Sequence, residues 1–168
     1  MKKLVLRGKI LFLNGPNLNR LGRRDRAQYG ITTLPQIVTS AKKIVQMHGF
    51  SLRAMQSNHS GYLIDWIQAF VDEGPEGLMK GIVINPGGLT HYDIALRDAL
   101  GDAKTQGVSA IEVHLSDTDE REEFRHISFV RKVCIGHVKG LGADGYRIGL
   151  LELMAHLERM RRNGSSKL

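Results

Sequence analysis

A loop of amides, guanidiniums and one phenol holds the groups needed to grip an anion and move a proton. It runs Asn14-Gly15-Pro16-Asn17-Leu18-Asn19, with Arg23, Arg24 and Tyr29 close behind. Asparagine offers donors and acceptors on one flat group, arginine a fixed fork for carboxylates, and tyrosine a dissociable hydroxyl. Two further clusters share this polar character. Asn85-Pro86-Gly87-Gly88 leads into Thr90-His91, and Glu112-Val113-His114-Leu115-Ser116 sets a carboxylate two residues from an imidazole. Residues two apart in a strand share a face, so Glu112 can orient or charge His114. Taken singly, Asn85 and His91 read equally well as caps of a following helix.

Beyond Ser116 the chain is densely charged. Asp117 with Glu120 three residues later has the form of a capping box, which predicts a helix start whose N–H groups could bind a carboxylate. On that helix Arg121 and Arg125 share a face, aimed at a ligand or at neighbouring carboxylates. Pairing of Arg121 with Asp117, Glu120 or Glu122 is the plainer alternative. Gly140-Leu141-Gly142-Ala143-Asp144-Gly145 fits the spacing of a dinucleotide-binding turn. No strand follows to complete the unit, and Arg161-Arg162 stands where an acid is needed, so it reads as a tight turn with close helix–sheet packing. The seven histidines lack metal-site spacing, so no metal is expected. His48, His137 and His156 read as surface or structural residues.

The elements that must position these groups alternate. Apolar runs predict strands over 9–14, 51–56, 81–87, 109–116 and, more weakly, 136–141. Thr33 as N-cap and Pro35 in the first turn open a helix reaching 48–49. Leu63, Ile64, Ile67 and Phe70 mark a helical face over 60–72, and further helices follow over 91–100 and 145–160. Strands separated by helices imply right-handed crossovers and a mostly parallel sheet. The expected fold is α/β: a flavodoxin-like doubly wound five-stranded parallel sheet in a single domain, with its core over 9–160 and a disordered polar tail over 161–168. In such sheets ligands bind beyond the carboxyl ends of the strands. The polar ends of the first, third and fourth strands would therefore share one crevice.

Bulk properties narrow the function classes. The 168 residues are 42% hydrophobic and 24% charged, as in an ordinary globular protein. The chain contains no apolar run of the roughly 20 residues that span a bilayer. Its N-terminus carries lysines but lacks the long apolar stretch of a signal peptide. A lone cysteine, Cys134, excludes an internal disulfide and fits a reducing, cytoplasmic compartment. The formal charge of +7 concentrates at both termini and in the loop carrying Arg20, Arg23, Arg24 and Arg26. With 6% aromatics there is no stacking platform for nucleic acid, and an anionic small molecule is the better partner. The closing Ser166-Lys167-Leu168 spells a peroxisomal address but is read here as carrying no signal.

Five ordered blocks, NGPNLNRLGRRDRAQYG, QSNHSGYLIDWI, GIVINPGGLTHYDIALRDAL, IEVHLSDTDEREEFRHIS and GLGADGY, resemble the type II 3-dehydroquinate dehydratases (type II dehydroquinases) from Ile10 to about Leu153. The resemblance implies the same fold, a dodecamer built as a tetramer of trimers, and a cofactor-free anti elimination of water from 3-dehydroquinate through an enolate, giving 3-dehydroshikimate. By position, Tyr29 resembles the general base at C2 and Arg24 the arginine that favours its phenolate. A phenol ordinarily ionises near about 10, so a close cation is needed. Asn17 resembles the residue holding a water against the enolate, and His114 the general acid, with Glu112 placed to support it. Asn85, His91 and Arg125 match positions that hold substrate hydroxyls, Leu115 and Ser116 the segment that binds the carboxylate, and Arg121 a position near the lid. Asp98 resembles the acid that reaches a neighbouring subunit's site. Residues 20–32 would be the lid, with Gly22 and Gly30 as hinges.

The sequence also departs from the family pattern. Asp25-Arg26 stands where Glu-Pro is common, Asp117 where Asn is usual, Ser60 for a frequent Glu, and Tyr92-Asp93 for small polar residues. An added carboxylate at Asp117 should weaken anion binding unless Arg121 or Arg125 compensates. A non-catalytic ligand-binding or assembly protein of the same fold is the alternative reading, and both biosynthesis of aromatic compounds and breakdown of quinate pass through the reaction.

Overall fold

The period of the apolar residues dictates the layers. The computed structural model describes residues 6–23, 26–73 and 77–165. Among these, five strands form one sheet: β1 (Gly8–Asn14), β2 (Phe50–Gln56), β3 (Met79–Asn85), β4 (Ser109–Val113) and β5 (His137–Val138). Their order is β2-β1-β3-β4-β5 and every pairing is parallel, the flavodoxin-like doubly wound arrangement. The helices are α1 (Arg26–Tyr29), α2 (Leu34–Met47), α3 (Ser60–Asp72), α4 (Ile94–Thr105) and α5 (Asp144–Ser165).

Alternate residues of each strand enter opposite layers, as a two-residue period requires. Ile10 and Phe12 of β1, with Val83, Ile111 and Val113, face α2 and α5. Leu11 and Leu13, with Ile82, Ile84 and Ala110, face α3 and α4. The helices meet them with helical spacing: Ile37, Ala41 and Val45 on α2, Leu63, Ile67 and Phe70 on α3. Burial on both faces explains why the central strands read as continuous apolar runs rather than alternating ones.

Several expected boundaries shift, each for a local reason. The helix expected from 91 begins at Ile94, because Gly87–His91 forms a 3-10 turn and the Asp93 carboxylate accepts from the Leu96 N–H at 2.8 Å. Asp93, part of one of the departures, is therefore the cap, and His91 is not. Residues 117–122 form turns instead of the expected capped helix, with a 3-10 turn at Glu123–Arg125. From Ser116 to Glu123 the chain has no apolar residue, so a helix there would have no stripe to bury. The fifth strand keeps two residues of the six expected. Helix α5 runs to Ser165, into the stretch expected as a polar tail.

A buried hydroxyl joins the strands whose ends form the crevice. The Tyr146 hydroxyl, on α5, donates to Asn14 Oδ1 at 2.7 Å and accepts from Asn85 Nδ2 at 2.9 Å. Asn14 and Asn85 sit opposite each other in the β1–β3 register. The chain leaving β1 then passes so close to Pro86 that a Cβ on Gly15 would lie 2.5 Å from its carbonyl oxygen, which only glycine avoids. Tyr146→Phe leaves two buried amides short of a partner, and should lower unfolding stability by about 1–3 kcal/mol. Urea denaturation measures it, and an unchanged midpoint would show that this hydroxyl ties nothing.

Candidate active site

The carboxyl ends of β1, β3 and β4 surround a cavity of about 190 Å³. Nine of the residues singled out in the sequence line it: Asn17, Tyr29, Asn85, His91, His114, Leu115, Ser116, Arg121 and Arg125. The expected crevice therefore forms, at the point where the strand order reverses between β1 and β3.

Asn17 reaches the cavity from a left-handed turn, φ 69°, a conformation that asparagine tolerates better than most residues. Its backbone N–H donates to Asn58 Oδ1 at 2.9 Å, and Gln56 Nε2 donates to the same oxygen and to the Gly15 carbonyl. The segment after β2 thus buttresses the Asn17 loop, a role that the spacing of Gln56 and Asn58 does not announce. Tyr29, at the end of α1, receives a hydrogen bond on its hydroxyl from Arg121 Nη1 at 3.1 Å. That guanidinium also lies 6.0 Å from the Tyr29 ring centre.

On β4, Glu112 and His114 share a face, as two-residue spacing requires. Glu112 is fully buried and its Oε1 lies 2.8 Å from His114 Nε2. Thr90 donates to the same oxygen, and Ser128 lies 2.9 Å from Oε2. Burial alone pushes the Glu112 carboxyl up, but hydrogen bonds from His114 and Thr90 together with the nearby imidazoles hold it below its ordinary range. The carboxylate is therefore ionised and fixes which His114 nitrogen is engaged. Nδ1 is left to meet a ligand.

His91 Nδ1 donates to the Ile127 carbonyl at 2.7 Å. Burial, opposed by that bond, lowers its pKa from 6.5, so the neutral ring carries an acceptor at Nε2. The two arginines line the cavity and also pair with a carboxylate. Glu122 Oε2 pairs with Arg125 at 2.6 Å and more loosely with Arg121 at 3.6 Å, while both arginines line the cavity. Asp117 is balanced by neither of them: Lys139 Nζ lies 2.6 Å from its Oδ1 and also pairs with Asp119. Lys139 is the cation that offsets this extra carboxylate beside Ser116.

One expected site residue lies away from the cavity and another is not described. Asp98 lies on α4 with its side chain 59% exposed, paired with Arg97 at 2.7 Å, and is not part of the cavity wall. Arg24, with Asp25, falls outside the described residues. His137, read from sequence as surface or structural, instead packs its ring 5.6 Å from that of His114. It stands beside Glu112 in the β4–β5 register, a neighbour that only sheet pairing reveals. Ser128 is likewise sixteen residues from Glu112, with no spacing signal to announce it.

The sequence profile described as Dehydroquinase class II matches residues 8–154. The chain belongs to the class II dehydroquinase family. It is 48% identical over 141 residues to "3-dehydroquinate dehydratase 2" of Pseudomonas putida, covering 84% of this chain and 89% of that one. A 3-dehydroquinate dehydratase of Gloeobacter violaceus is 45% identical over 152 residues, covering 90% and 89%. Among solved structures, the type II dehydroquinase of Butyrivibrio crossotus superposes with a TM-score of 0.77 at 43% identity, covering 84% of this chain and 93% of that one. The Propionibacterium acnes type II dehydroquinase gives 0.79 at 36% identity, covering 90% and 99%.

The depressed Glu112 carboxyl makes a signed prediction. A group held below its ordinary value adds stability above about pH 4.5, and that stability is lost as the pH falls through the lower folded value. His91 and His137, also lowered from 6.5, contribute an earlier loss that starts as the pH drops below 6.5. Glu112→Gln should remove the part below about pH 4.5, keep the earlier part, and lower stability at pH 7 by about 1–3 kcal/mol. Melting curves from pH 8 to pH 3 check this; parallel curves for the two proteins would contradict it.

Proposed function

We propose that this chain is a type II 3-dehydroquinate dehydratase, eliminating water from 3-dehydroquinate to give 3-dehydroshikimate through an enolate. The observation that carries the reading is the meeting of a phenol, an anchored imidazole, an asparagine and two arginines in one cavity of a class II dehydroquinase. Tyr29 takes the C2 proton as its phenolate. Arg24 supplies positive charge, and Arg121, already donating to the phenol oxygen, supports it. Asn17 holds a water against the enolate oxygen, where charge develops. His114, positioned by Glu112, protonates the departing hydroxyl from Nδ1.

The remaining groups hold the substrate. Ser116 and the backbone at Leu115 bind the carboxylate, and Asn85, His91 and Arg125 hold ring hydroxyls. Base and acid come from different elements, Tyr29 from the loop after β1 and His114 from the end of β4, as an elimination in which proton and hydroxyl leave opposite ring faces requires. No cofactor takes part. The product serves either aromatic biosynthesis or quinate breakdown. The protein assembles as a dodecamer, a tetramer of trimers, in which the exposed Asp98 reaches a neighbouring cavity.

Appearance of the conjugated enone product is followed by absorbance. Positioned acid–base groups contribute about 10²–10⁴-fold, so Tyr29→Phe and His114→Ala should lose that much in kcat while melting normally. Normal turnover by Tyr29→Phe removes the phenol from the mechanism. Dehydroquinate binding without turnover by the wild-type protein favours the non-catalytic alternative. For the assembly, Asp98→Ala should lower activity in trimers or larger species, and sedimentation showing an active monomer would defeat a shared site.

A further inference from the structure

We propose that Glu112, His114 and His137 form an inhibitory binding site for Zn²⁺, a site built by this chain's own His137 beside the acid end of the cavity. Each of the three offers one ligand atom, and these atoms all lie within 4.8 Å of one another. Two imidazole nitrogens and a carboxylate oxygen are a ligand set that Zn²⁺ accepts, leaving one position for water.

The geometry fits such an ion with small side-chain rotations. Zinc bonds of about 2.0–2.1 Å in a tetrahedron put ligand atoms about 3.4 Å apart. His114 Nε2 stands 2.8 Å from Glu112 Oε1 and His137 Nε2 stands 3.9 Å from Glu112 Oε2, so both rings border the carboxylate, which must turn to present one oxygen to both. The second of these is too long for a hydrogen bond. His137 Nε2 is buried with no hydrogen-bond partner among the described residues, which is unusual for a buried nitrogen and leaves it available as a ligand atom.

The backbone supports the cluster independently of any ion. Glu112 and His137 are register partners on adjacent parallel strands, and Glu112 and His114 share one face of β4. Thr90 and Ser128 also bond Glu112 and would remain as outer partners that orient the ligating carboxylate. His114 lines the cavity, so the ion's route to the cluster is the substrate's own.

Occupancy would break the Glu112–His114 hydrogen bond, because Nε2 must first lose to solvent the proton it donates to Glu112 before its lone pair can bind the metal. A ring held by zinc at Nε2 can no longer become the imidazolium that Glu112 favours, so its Nδ1–H is a weaker acid toward the departing hydroxyl. The inhibitory effect rests on the dehydratase reading; the binding itself does not.

Equilibrium dialysis of chelator-stripped protein against zinc sulfate should give one zinc per chain. Co²⁺ in its place should give the intense visible bands of a four-coordinate site. His137→Val, a residue well suited to a strand, should weaken zinc binding by at least about 10–100-fold, the cost of disturbing a metal site's support. It should turn over dehydroquinate normally in chelator and escape inhibition by zinc. Less than stoichiometric zinc, or wild-type affinity in His137→Val, overturns the site. Full binding with unchanged turnover overturns the inhibition. If His137→Val does not fold, the cobalt spectrum of the wild-type protein decides, since a six-coordinate spectrum contradicts the site. Zinc bound through His137 by a protein with no dehydratase activity would sustain the site and sink the dehydratase reading instead.

Discussion

A carboxylate with no solvent exposure, Glu112, imposes the arrangement around it. An ionised acid in the interior is tolerated only when its lone pairs are occupied and opposite charge or donors stand close. Here those partners come from three parts of the chain: Thr90 from the turn after β3, His114 from β4, and Ser128 from the loop before β5. The Phe129 N–H in turn donates to the Thr90 carbonyl at 2.9 Å. Satisfying one buried charge therefore closes the wall of the cavity and fixes the orientation of the imidazole.

The opposite wall depends on the Asn14–Tyr146–Asn85 bridge, which holds β1 and β3 at the reversal point of the sheet. Tyr146 is fully enclosed and burial pushes its hydroxyl pKa up, so it stays a neutral donor and acceptor. This buried phenol is structural, whereas Tyr29, at the end of α1, lines the cavity. Environment, rather than residue type, separates the two roles.

Much of the cavity lining was legible because three strand ends carry polar residues together, although Asn85 taken alone reads equally well as a helix cap. Asn17, Asn85, Glu112 and His114 follow from that pattern, and the two-residue period put Glu112 against His114. What depended on pairing across the sheet was not legible. His137 and Ser128 are remote from Glu112 in sequence, and Tyr146 follows directly on the glycine-rich stretch 140–145 with no spacing signal that links it to Asn14 or Asn85. The capped helix expected after Asp117 does not form, because charge spacing alone supplies no apolar face to hold it. Lys139, the partner of Asp117, was hidden for the same reason as His137: only β5 brings it there. Asp98 is legible as an acid but its target lies beyond one chain. The departures at Asp93 and Asp117 became intelligible as a helix cap and as half of an ion pair. Nothing in the structure explains Ser60.

The central claim is that an acid anchored by Glu112 and a phenol from the lid act on one substrate from different sides. Dehydroquinate carrying deuterium stereospecifically at C2 tests it most directly, by nuclear magnetic resonance of the product. The account predicts loss of the hydrogen on the ring face opposite the departing hydroxyl, in wild-type protein and at a much reduced rate in His114→Ala. Loss of the hydrogen on the same face as the hydroxyl would contradict it.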